Sequence, residues 1–73
     1  MTMTEWEEEI RKQVIDDIEA VNEVDNVFRD KVLRVAREAE DLRTVQDALI
    51  SAKVRANRNR QLDQILAAAA PAN

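Results

Sequence analysis

Glycine, cysteine and histidine are missing from this 73-residue chain, proline occurs once, and Trp6 and Phe28 are its only aromatic residues. Each absence closes a route. Without cysteine or histidine there can be no disulfide, no zinc site of the usual kind and no imidazole to act as base or ligand. Without glycine, and with the one proline at position 71, β-turns lack the residues that suit them best, which speaks against mixed and β-rich folds. No apolar run, Ala67-Ala68-Ala69-Ala70 included, approaches the roughly 20 residues that a membrane span requires. The opening Met1-Thr2-Met3-Thr4 carries no basic residue and leads directly into Glu7-Glu8-Glu9, unlike a secretory leader. A cytoplasmic protein with no membrane partner is the expectation.

What is present favours helix. Alanine, glutamate, arginine, leucine, glutamine and aspartate dominate, most of them good helix formers. The expected fold class is all-α, within one domain spanning 1–73 and a frayed tail from about 67–73. A single core in so short a chain rarely supplies more than about 3–5 kcal/mol. With disulfides and imidazole-bound metals excluded, association with another chain is the expected supplement, and a homo-oligomer is the expected form of it.

Thr4-Glu5-Trp6-Glu7 has the pattern of a capping box, in which hydroxyl and carboxylate each accept from the other residue's amide. A first helix should therefore run from about Thr4 to Val21, supported by Glu7–Arg11 and Glu8–Lys12 pairs four residues apart. From Val14 an apolar position recurs every seven residues through Val21, Phe28, Val35, Leu42, Leu49 and Ala56. This is the spacing of a coiled-coil seam, and Val21, Phe28, Val35, Leu42 and Leu49 are its candidate core or self-association residues. Its companion position (Ile18, Asp25, Val32, Ala39, Gln46, Lys53) is half polar and marks where the seam breaks. Asn22-Glu23-Val24-Asp25-Asn26 reads as a tight turn, with asparagine standing in for glycine in a left-handed conformation. Thr44-Val45-Gln46-Asp47, another capping-box-like tetrad, reads either as a second break or as a polar stretch of continuous helix. A third could fall at Asn57 and Asn59. Two architectures follow: a helical hairpin that pairs into a bundle as a dimer, or a small three-helix bundle.

Catalytic chemistry finds few candidates. Ser51 is the only serine and has no base signature beside it. Asp16, Glu19 and Glu23 share a helix face, but helical di-metal sites add histidine and calcium loops add glycine, so a solvated acidic face is the simpler reading. No enzyme, cofactor or metal is expected.

Charge is distributed unevenly. Residues 1–25 hold nine acids against two bases, residues 26–50 balance at five each, and residues 51–73 hold four bases against one acid. Either the acidic helix lies against the basic end, within one chain or across a dimer, or the two ends are separate contact surfaces. The acidic end, with Trp6, Glu8, Glu9, Asp16 and Glu19, suits a basic surface on another protein, because tryptophan is enriched among interface anchors. The basic end, with Arg55, Arg58 and Arg60, has side chains suited to phosphates and base edges. It lacks aromatic residues for stacking, and the net charge of −4 opposes approach to a polyanion, so nucleic acid is the less expected partner. The functional expectation is a small non-enzymatic module that regulates or adapts a partner protein by occupying its surface. The alternatives are a nucleic-acid-binding protein using Lys53–Arg60, and a structural assembly or coiled-coil factor.

Overall fold

A computed structural model describes residues 3–69 and contains three helices: α1 (Glu5–Glu19), α2 (Asn26–Glu38) and α3 (Leu42–Ala69). The three-helix alternative is the observed one. Of the expected tail, 67–69 continue α3, and 70–73 lie outside the described residues.

Each helix starts on a side chain that accepts an otherwise unpaired amide, since the first turn has no intrahelical partners for its N–H groups. Thr4 and Glu7 form the expected reciprocal box, with the Glu7 carboxylate accepting from the Thr4 amide at 3.0 Å. Asp25 caps α2 by accepting from the Phe28 amide at 2.7 Å. That break falls where expected but is built differently. No described residue has a positive φ, so an extended Asp25 makes the turn and no left-handed asparagine is involved.

The second break lies three residues before the Thr44 tetrad. Asp41 accepts from the Thr44 amide at 2.7 Å and from its hydroxyl, which places Thr44 inside the first turn of α3. An ionised carboxylate is a strong acceptor for these donors, and it occupies the hydroxyl that would otherwise have served as a cap. The third possible break, at Asn57 and Asn59, is absent, since α3 runs through both. Asparagine costs a helix interior less than about 0.7 kcal/mol, and Asn59 recovers a bond by donating to the Glu23 carbonyl at 2.7 Å.

The core gathers Val14 and Ile18 from α1, Val32, Leu33 and Ala36 from α2, and Val45, Ala48 and Ala52 from α3. Ala48, Ala52 and Ala56 repeat every four residues on one face, so α3 presents small side chains and its neighbours can approach closely. The seven-residue repeat is not one seam. Two helix breaks cut it, so Val14 and Ala56 are buried, Val21, Phe28, Leu42 and Leu49 are partly buried, and Val35 stays 46% exposed.

At about 1.5 Å per residue α3 is roughly twice as long as either neighbour and runs well past them. Every residue from Arg60 to Ala69 is exposed. The molecule measures 58 × 18 × 15 Å, with a radius of gyration of 15.5 Å against about 11 Å for a compact chain of this length.

Candidate protein-interaction surfaces

The acidic face lies on α1. Trp6, in its first turn, is 60% exposed, and Glu8, Glu9, Asp16 and Glu19 are all exposed. Two of these acids are engaged within the chain: Glu8 pairs with Arg11 at 3.3 Å and Glu19 with Arg37 at 3.4 Å. The expected Glu7–Arg11 pair gives way, because the Glu7 carboxylate is held by the Thr4 amide and hydroxyl, which keep it below the usual carboxylate range.

Arg11 has a structural task instead. Largely shielded from solvent, it donates to the carbonyls of Ala36 at 3.3 Å, Ala39 at 2.5 Å and Arg37, at the C-terminus of α2. Terminal carbonyls lack intrahelical donors and carry partial negative charge, so a guanidinium satisfies both needs. Nothing in the local pattern around Arg11 announces this, since its acceptors lie 25 to 28 residues away.

The basic end divides in two. Arg60 turns back to Glu23 at 2.8 Å, and the carboxylate pushes the guanidinium further up from its ordinary value. Together with Asn59, and with Arg29 of α2 donating to the Val21 carbonyl, it ties down the connection between α1 and α2. A polar groove of about 430 Å³ lies here between Asn22, Glu23, Lys53 and Asn57.

Arg55 and Arg58 face the other side of α3. There Phe28, Ile50, Ser51, Val54 and the two arginines line an open groove of about 270 Å³. The Arg55 guanidinium sits 5.0 Å from the centre of the Phe28 ring, within cation–π range. Neither Arg55 nor Arg58 meets a carboxylate within salt-bridge distance among the described residues. The structure thus separates three arginines that the sequence reading grouped.

Beyond the groove, the projecting end of α3 exposes Leu62, Ile65 and Leu66 by 52–61%. Ile50 and Val54, within the body, are exposed to a similar degree. Ile50, Val54, Arg58, Leu62 and Leu66 are each four residues apart, in a row that winds through about 160° around α3 from first to last. The sequence reading missed this row because it tracked a seven-residue period. A search at a period of four would have found it, but exposure could be assigned only once Ala48, Ala52 and Ala56 were known to face inward.

Among the described residues, no helix is long and apolar enough to cross a membrane, and no group of three or more acids is placed to hold a metal ion. No protein-family model, curated protein or solved structure matches this chain.

Proposed function

We propose that this chain is a non-enzymatic helical interaction module that regulates or adapts a partner protein by occupying its surface. The observation that carries the reading is the uncovered apolar cluster of Leu62, Ile65 and Leu66 on the projecting end of α3. Isolated apolar residues on a surface are ordinary, but these three stand at i, i+3 and i+4 and so share one helix face, the pattern of an interaction site. The surface area supports the same view. A compact monomer of this mass exposes about 4,600 Å², and this chain exposes 5677 Å².

The acidic face of α1 is a second candidate contact. Trp6 would serve as anchor, with Glu9 and Asp16 steering a basic partner surface. Support for nucleic-acid binding is weaker. Of the three arginines in question, Arg60 is engaged with Glu23 and Arg55 lies over Phe28. The cations of that region border an apolar groove and do not form a continuous basic track.

Capture from a lysate of the source organism tests the reading, run with nuclease treatment and with two surface variants. Leu62→Asp combined with Ile65→Asp breaks the apolar cluster of the projecting end, and Trp6→Ala removes the anchor on α1. A protein retained by the parent chain, resistant to nuclease and lost with either variant is the expected result. Retention that depends on nucleic acid would replace this reading with the alternative.

A further inference from the structure

Spacing along α3 offers a seam that keeps to one side of the helix, unlike the row spaced by four. Ser51, Arg55, Arg58, Leu62, Ile65 and Ala69 follow at alternating steps of four and three residues, the heptad spacing of a coiled coil. At about 100° per residue they stay within an arc of about 80°, roughly 100° round from the buried face of Val45, Ala48, Ala52 and Ala56. All six are exposed. The seam is cationic where it leaves the body and apolar along the projecting end, with Leu66 at its flank.

Charge along the same seam is left unmatched. The end of a helix carries partial negative charge and carbonyls without intrahelical donors. In α2 these are met by Arg11, which reaches across from α1. The described last turn of α3 has no basic residue, and the sequence carries none after Arg60. Arg55 and Arg58, meanwhile, meet no carboxylate among the described residues. At about 1.5 Å per residue Arg58 lies roughly 16 Å from Ala69, too far to serve its own helix end.

We infer that the projecting end of α3 pairs antiparallel with the projecting end of a second copy, so that each copy's Arg58 serves the other's helix end. In this register Leu62 of each copy packs against Ile65 of the other, and Arg58 lies against Ala69. The small alanine leaves room for the guanidinium to reach the last carbonyls, as Arg11 does within the chain. The bodies do not collide. Each closes where Asn59 and Arg60 meet Glu23, which leaves roughly 12 Å of paired helix between them at about 1.5 Å per residue. A parallel pairing would set Arg55 and Arg58 against their own mates, where like charges repel. An unrelated helix would cover Leu62 and Ile65 alone, whereas a second copy also supplies the cation that each helix end lacks. Three large aliphatics per copy bury less than the roughly 1,200 Å² of a standard interface, so the pair is weak, with a dissociation constant of about 100 µM. At low micromolar concentration the chain is single and its projecting end bare.

The inference rests on the interaction-module reading in taking the exposed cluster as a contact surface, and it leaves the acidic face of α1 to a different protein. Sedimentation equilibrium of the intact chain, from about 10 µM to about 1 mM, tests it. A monomer–dimer equilibrium is expected, weakened at least about tenfold by Leu62→Asp and about fivefold by Arg58→Glu. Arg43→Glu makes the same change of charge on α3 outside the seam and should leave the equilibrium unchanged. Circular dichroism of all three variants should match the parent, because the positions are exposed. The chain has no cysteine of its own, so Asp47→Cys takes a single spin label. The antiparallel pair should separate two such labels by roughly 50 Å, where a parallel pair would bring them within about 20 Å. A chain still monomeric at the highest concentration, a dimer that Leu62→Asp leaves intact, equal losses with Arg58→Glu and Arg43→Glu, or the short label distance would each overturn the inference. A monomeric chain that still captures a protein would keep the broader reading alone. A dimer that captures nothing would keep the inference and remove that reading.

Discussion

Between Val45 and Ala56 one face of α3 is buried against two other helices; between Gln61 and Ala69 every residue of the same helix is exposed. The two stretches differ in where their apolar residues lie. In the body, the inward face is Val45, Ala48, Ala52 and Ala56, and the larger Ile50 and Val54 point outward. In the projecting end, Leu62, Ile65 and Leu66 are more than half exposed. Folding thus draws on the small residues of the body, and the proposed binding draws on aliphatics that the fold leaves uncovered.

That division can be broken by substitution, and the largest effect should come from the body. Ile18 is fully buried, and Ile18→Ala should cost about 2–5 kcal/mol, comparable with all the stability a core of this size provides. Leu62→Ala removes a similar side chain from the projecting end and should cost within about 0.5 kcal/mol. Urea unfolding followed by circular dichroism measures both, and similar losses would show that the projecting end is covered.

Next in size is Arg11→Ala. It removes charged donors from three carbonyls at the end of α2 and should cost about 1.5–3 kcal/mol, without touching the projecting end. Partner capture that persists in this variant, under conditions where it stays folded, would sharpen the separation between the body and the projecting end.

Much of the body was legible in the sequence, and the reasons are local. Caps act over three residues, so Thr4-Glu7 and the Asp25 region could be read directly. Asp41 was overlooked because the Thr44 tetrad resembles a cap too, and only the Asp41 carboxylate accepting the Thr44 hydroxyl distinguishes them. The seven-residue repeat misled for a different reason. A period defines a face only within one continuous helix, and this repeat crosses two breaks, so Val35 carries the right spacing but ends half-exposed. Arg11, Arg29 and Asn59 were beyond reach, because each donates to carbonyls that only the packing of one helix on another brings near. Residues of the projecting end such as Leu62 were visible as apolar, but not as uncovered.

Smaller effects belong to the caps and to acid. Asp41→Ala should cost about 0.5–2 kcal/mol by releasing the first turn of α3. Hydrogen bonds from Thr4 and Thr44 hold the Glu7 and Asp41 carboxyls below their ordinary range. A carboxyl whose folded value is depressed contributes stability above its unfolded value, and that contribution fades as pH falls through the folded one. Both caps should thus be intact at neutral pH and weaken only below the usual carboxylate range. Helicity followed during acid titration should therefore fall there, and Asp41→Ala should flatten part of that fall. A loss centred near neutral pH would point to other groups.

Native-state amide exchange along α3 tests the division of this helix most directly. Local opening requires little free energy where a helix makes no tertiary contacts, and a short stretch of unsupported helix is marginal in water. Protection in the free chain should be close to the global unfolding value at Ala48, Ala52 and Ala56 and should fall by orders of magnitude between Gln61 and Ala69. Uniformly high protection along the whole of α3 in the free chain would contradict the account, since it would mean that the projecting end is already covered.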